Sequence, residues 1–293
     1  MVVFFSEIIL IHIFVLFALL FGSFVDLRIR EVPDILSYGL VILGILIGIL
    51  RSITYGDLSF IVYSLAGFVL CLIIGNLMYY AGQWGGGDAK ILMGIGAMIG
   101  LNVFNFSLSE SFLVLFLINI IIFGAVYGIF WVFFLSFRNW KEFKKEFEKA
   151  RRTKFSIWIR FIFIVLFIAA IILIFSTGIP AIFKIVIVIF IFFSYLLYYF
   201  GIYSSVVQKV CMVKSVNVTA LTEGDWLSKD VKINGKVILK SSKTGISSED
   251  ISKLKKNKIK EVIIKEGIPF VPSFLIAYLL TIIAGSWIIV ALL

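Results

Sequence analysis

The chain has 293 residues, of which 61% are hydrophobic, with a mean hydropathy of +1.12 and a formal net charge of +10. A water-soluble domain of this length does not reach that apolar fraction, so the soluble enzyme classes are excluded. A membrane β-barrel is excluded as well, because the apolar runs do not alternate, and the positive charge gathers in particular loops as the positive-inside rule requires rather than marking a nucleic-acid binder.

Eight runs approach the ~20 apolar residues that cross a bilayer core. They lie at about 2–25, 34–50, 58–81, 88–105, 110–137, 155–176, 180–203 and 268–291. The stretch from Val2 to Val25 has no basic residues before it and is too long for a signal-peptide core, so it reads as a first membrane helix. The spacing predicts an all-α polytopic membrane protein of about eight spans with a small cytoplasmic α+β domain. Four parts follow: a bundle over 1–137, a basic cytoplasmic loop with an extra membrane hairpin over 138–203, the small domain over 204–267, and a last helix over 268–293. Gly44 and Gly48, Gly96 and Gly100, and Gly124 and Gly128 form three G-x-x-x-G pairs, which allow close helix contact.

Charge tests this count. With both termini external, 25 of the 27 basic residues fall at or near the cytoplasmic side, eight of them in "RNWKEFKKEFEKARRTK" and thirteen in 204–267. The loop 138–154 reads either as an ordinary basic loop or as an amphipathic surface helix with Trp140, Phe143 and Phe147 toward the membrane. Within 204–267, a hairpin turns at Asn234-Gly235, "SSEDISKLKKNK" is a capped helix, and "EVIIK" is a strand. Cys71 and Cys211 form no metal-type pair, so no metal or cofactor is expected, and membrane lipid is the expected surroundings.

Acids at membrane depth are costly and point to function. Asp26 closes the first run and Asp88 opens the fourth, in "QWGGGDAK", so the topology sets both at one depth. Two neighbouring carboxylates share a proton, and such a pair activates water as aspartic proteases do. Gly85, Gly86 and Gly87 let a substrate backbone approach Asp88 and let the loop move. Each acid taken alone has a plainer reading: Asp88 as an N-cap, Asp26 as part of an interfacial cluster with Arg28 and Arg30. The helix N-terminus favours an ionised Asp88. His12, Asn76 and Asn119 read as buried or interhelical hydrogen-bonding groups, and Glu7 lies toward the outer interface.

"GGGDAKIL" resembles the G-x-G-D-x-K pattern of type IV prepilin peptidases, through Gly85, Gly87, Asp88 and Lys90. "DLRIREVPD" is similar to that family's first-aspartate motif through Asp26, Arg30, Val32 and Pro33, with Asp34 in place of the usual Asn. "EGIPFVPSF" resembles the block at the start of its last helix, through Pro269, Phe270 and Pro272. The segment 205–293 looks like the archaeal preflagellin and prepilin peptidases, while 138–203 departs from them. The resemblance implies a membrane aspartic endopeptidase with Asp26 and Asp88 as catalytic pair. It would cut the short basic leader of prepilin-like or preflagellin precursors at the cytoplasmic face of the plasma membrane. The cysteine-rich segment that goes with N-methylation is missing, so peptidase activity alone is expected. Glu31 and Asp34, beside Asp26, are expected to attract the leader. The competing readings are a presenilin-like or signal-peptide-peptidase-like protease, a proton-coupled transporter using the acid pair as a relay, and a structural subunit of a pilus or secretion machine. The first expects acids deeper in their spans; the second expects broken helices at the midplane.

Overall fold

The computed structural model describes residues 2–107, 110–176, 178, 180–233, 236–241 and 245–285. Six helices among them are long and apolar enough to cross a membrane, and the chain is a multi-pass membrane protein. These are α1 (Val2–Ile29), α2 (Asp34–Tyr55), α3 (Ser59–Tyr80), α5 (Phe112–Arg138), α7 (Lys154–Ser176) and α8 (Ala181–Val210). Their bounds follow the apolar runs because each helix satisfies its own backbone where no water can.

The expected fourth span differs, and the eighth is described only in part. Helix α4 (Gly86–Ile99) has 14 residues, about 21 Å of helix against a ~30 Å hydrocarbon core. The apolar sequence runs on, but the backbone turns at Gly100, whose φ is 73°, and the Leu101 N–H then donates to the Tyr63 carbonyl oxygen. Helix α10 (Val271–Ala284) is also 14 residues long; the rest of the eighth run, 286–291, lies outside the described residues. Eight full spans are therefore not found among the described residues.

The chain divides into two compact units, Met1–Phe130 with Ser215–Leu293, and Trp131–Lys214. In the first, α4 packs between α2 and α3. Glycines make that approach possible. A Cβ on Gly67 would stand 2.2 Å from the Gly96 carbonyl oxygen, and one on Gly44 would stand 2.5 Å from the Ala97 carbonyl carbon. Ser64 Oγ sits 3.0 Å from the Gly44 carbonyl oxygen and 2.6 Å from that of Ala97, tying all three helices together. Of the G-x-x-x-G pairs, Gly44 and Gly96 thus form real backbone contacts, whereas Gly128 faces open space.

Polar side chains pin the remaining helices of this unit. His12 Nδ1 lies 2.7 Å from the Tyr278 hydroxyl, joining α1 to α10, and the Asn119 amide donates to Thr281 Oγ1 at 2.8 Å, joining α5 to α10. Glu7 pairs with Arg51 at 3.4 Å, joining α1 to α2. Asn76 differs from the interhelical role expected of it, because its amide donates to the Leu72 carbonyl within its own exposed helix face.

The strand-containing region is small. Strands β1 (Val213–Asn217), β5 (Glu261–Lys265) and β2 (Trp226–Leu227) form one sheet in the order β1-β5-β2, and β3 (Val231–Ile233) pairs antiparallel with β4 (Lys236–Leu239). The hairpin turn expected at Asn234-Gly235 lies outside the described residues. Helix α9 (Ser248–Lys256) starts at a reciprocal cap: the Asp250 N–H donates to Ser247 Oγ and the Ser247 N–H to Asp250 Oδ2. A core of nine buried side chains, including Leu227, Leu254 and Ile264, holds the region together.

In the second unit, the basic loop is a helix, α6 (Trp140–Arg151), which packs on α8. Phe143 is buried against Tyr203, with Phe147 stacked behind it, so these rings contact protein rather than facing the membrane. Trp140 alone of the three is exposed.

Candidate active site

Asp26 sits one turn from the end of α1 and is only 5% exposed. The helix ends at Arg30, which is left-handed with φ 61° and donates its N–H to the Asp26 carbonyl oxygen at 3.0 Å. The Asp26 side chain meets the start of α10: the Val271 N–H donates to its Oδ2 at 3.1 Å, and the Phe270 amide also hydrogen-bonds to it. A helix N-terminus presents unpaired N–H groups and a partial positive charge, so α10 offers this acid what water cannot. Pro272, in the first turn of α10, costs nothing there because that N–H has no helical partner.

Asp88 is the third residue of α4 and 7% exposed. Its Oδ2 accepts the Gly85 N–H at 2.9 Å, one half of a capping box that a glycine cap cannot complete with a side chain. Asp88 is therefore not the N-cap residue expected of it; Gly85 is, and Asp88 caps the helix from its third position. Helices α1 and α4 are in contact, and the charges of Asp26 and Asp88 act on one another. The helix-terminus argument that singled out Asp88 applies equally to Asp26 beneath α10.

The glycines are not equivalent. None of Gly85, Gly86 and Gly87 has a positive φ. A Cβ on Gly87 would press on Val32, at 3.0 Å from its Cβ and 3.2 Å from its backbone nitrogen, so this glycine is what lets the α1–α2 loop close over α4. A Cβ on Gly86 would find nothing nearer than the Tyr79 ring at 3.8 Å.

Lys90 Nζ donates to Asp34 Oδ1 at 2.6 Å, linking the starts of α4 and α2. Asp34 is thus engaged with Lys90 beside the site. Glu31 Oε1 accepts a 2.5 Å hydrogen bond from the Thr222 hydroxyl of the strand-containing region. Asp225 lies nearby. Burial pushes its carboxyl above the ordinary range, and the negative charges of Glu31 and Glu266 push it further the same way, against hydrogen bonds from Thr222. Pro33 precedes α2 at its cap position.

Several site residues are invisible to motif reading. Trp84 is buried with its ring centroid 5.2 Å from that of Phe274 and 5.8 Å from that of Phe270. Gly124 of α5 lies against Phe270, where a Cβ would stand 2.6 Å from ring atom Cζ. Tyr127, one turn along α5, is within electrostatic reach of Asp26, Arg30 and Asp88. The G-x-x-x-G spacing marked Gly124 as a close-contact position, and a tryptophan directly before the glycines was the one sign of Trp84. Pro269 immediately precedes Phe270 at the start of α10.

Comparison with known proteins bears on the same stretch. Residues 13–129 match the type IV leader peptidase family. This part of the chain is similar to that family. It holds Asp26, the loop through Asp34, the glycines, Asp88 and Tyr127. The chain is also similar to proteins named preflagellin peptidase. That of Methanococcus maripaludis is 34% identical over 131 residues, covering 41% of this chain and 55% of the relative. That of Methanococcus voltae is 42% identical over 84 residues, covering 29% and 36%. That of Methanocaldococcus jannaschii is 37% identical over 81 residues, covering 28% and 34%. The match to the first of these spans about half of that relative's length.

The Gly87 contact generates a stability test. Gly87→Ala is expected to destabilise the folded protein by about 1–3 kcal/mol through overpacking, and Val32→Ala to restore much of that loss in the double variant. Thermal unfolding in detergent of the two single variants and the double variant measures the coupling. Independent, additive losses would remove Val32 as the reason for the glycine.

Proposed function

We propose that the chain is a membrane aspartic endopeptidase that removes the short basic leader of preflagellin-like or prepilin-like precursors, at the cytoplasmic face, with Asp26 and Asp88 activating water. The observation that carries this reading is the pair of buried acids, one ending α1 and one starting α4, whose charges act on each other. Its position within the stretch that matches the type IV leader peptidase family supports the reaction class. The names of the relatives support the leader as substrate.

In this mechanism the pair shares one proton. The ionised carboxylate takes a proton from water as it attacks the scissile carbonyl, while the protonated partner donates a hydrogen bond to the carbonyl oxygen. The amide donors at Val271 and Gly85 hold the two carboxyl groups in place through both states. Trp84 and the Phe270 and Phe274 rings close one side against lipid and water.

The basic leader has an electrostatic partner in this reading. Asp34 is paired with Lys90, so the attraction assigned to it passes to the neighbouring acids Glu31 and Asp225, joined by Glu266. The strand-containing region then contributes to substrate recognition through the Glu31–Thr222 contact.

Purified full-length protein, incubated with a preflagellin-type and a prepilin-type precursor, tests the assignment. Asp26→Asn and Asp88→Asn should each reduce cleavage by about 10²–10⁴-fold, the range for loss of a general acid or base, with unchanged thermal unfolding. Cleavage that survives either substitution sinks the pair. Glu31→Gln with Asp225→Asn should raise KM and flatten its dependence on salt while leaving kcat in place, as loss of attraction without loss of chemistry requires. An unaltered salt dependence removes the acids from leader binding.

A further inference from the structure

The second unit contains a cleft of about 640 Å³ that takes no part in the acid pair. It opens between α6, the start of α7 and the last turns of α8. Its rim carries Lys149 and Lys209 with a single acid, Glu146. Glu146 is already engaged: Lys149 Nζ donates to its Oε1 at 2.5 Å. That bond holds the Glu146 carboxyl below the ordinary carboxylate range, and the charges of Lys145 and Lys209 act in the same direction. The two lysines therefore converge on one spot and outnumber its only acid, leaving a net positive rim.

Apart from Thr153 and Ser205, the remainder of the cleft wall is largely apolar, with Phe155 and Tyr198 among its lining residues. Phe155 begins α7 and is 72% exposed. Helices α7 and α8 bury almost none of their apolar surface within the protein, 6% and 0% of their most apolar stretches. Such helices are stable only with hydrocarbon against them. The cleft thus joins a cationic rim to a lipid-covered hairpin. A soluble anion would match only the rim. An amphiphile with a phosphate at one end and alkyl chains at the other matches both, as basic pockets beside membrane helices match anionic lipid headgroups.

We propose that this cleft is a binding site for one anionic phospholipid, its phosphate held between Lys149 and Lys209 and its chains laid along α7 and α8. Gly201 supplies an independent handle. It lines the cleft, and a Cβ there meets nothing within 4 Å. A large side chain at this position fits without strain in the helix and fills the cleft while leaving every charge in place.

Native mass spectrometry of the full chain in detergent, titrated with phosphatidylglycerol or with phosphatidylcholine, tests the site. The protein is expected to retain one phosphatidylglycerol in preference to phosphatidylcholine. Lys149→Gln with Lys209→Gln is expected to weaken that retention at least about tenfold, and Gly201→Phe to weaken it comparably. Lys141→Gln with Lys144→Gln, an equal charge change on α6 away from the cleft, should leave it unchanged. Equal retention of the two lipids, or an equal loss in the Lys141→Gln, Lys144→Gln variant, overturns the site in favour of diffuse surface charge. Retention undiminished in Gly201→Phe overturns the cleft as its location. Displacement of the lipid by millimolar glycerol phosphate overturns the commitment to a lipid.

Discussion

A carboxyl group removed from water must find hydrogen-bond donors in the protein, and that requirement organises this molecule. Asp26 finds them at the first amides of α10, and Asp88 finds one at the cap of its own helix. Both solutions use a helix N-terminus, the one place in a helix where N–H groups have no partner. The rest of the first unit holds those helix ends at a common level. Glycines let α4 settle between α2 and α3, Gly87 lets the loop after α1 pass over it, and Gly124 lets Phe270 and the start of α10 approach α5.

The short length of α4 serves the same end. A helix crossing the whole bilayer could be set at many depths by lipid. One of 14 residues, held at its far end by the Gly100 turn and the Leu101 to Tyr63 hydrogen bond, is positioned by protein contacts. Its N-terminus, and Asp88 with it, inherits that position. The buried Trp84 immediately before the glycines anchors the other end against Phe274.

Apolar run length made most of the helices legible, because a segment that must satisfy its own backbone in lipid announces itself by composition alone. It failed at α4, where the apolar residues continue past a left-handed glycine and nothing in composition marks the turn. The level shared by Asp26 and Asp88 was readable from alternation of the spans. The donor to Asp26 was not: Val271 is 245 residues away, and periodicity carries no information about which helix end meets which acid. Asp34 illustrates the same limit from the charged side. An acid beside the site looked free to bind a basic leader, and only the fold shows Lys90 already on it. Phe143 and Phe147 followed helical spacing correctly, but the surface they cover is Tyr203.

The central claim is that the end of α1 and the start of α4 bring two acids together before substrate arrives. Cross-linking in membranes measures this directly. Cysteines are placed at positions 26 and 88 in a chain whose Cys71 and Cys211 have been replaced by serine, and a short thiol-specific cross-linker is added without substrate. The account predicts rapid, near-complete cross-linking of 26 to 88, and none when the second cysteine is moved to Leu58, exposed between the end of α2 and the start of α3. A folded protein in which 26 and 88 fail to cross-link, or do so no faster than 26 and 58, would contradict it.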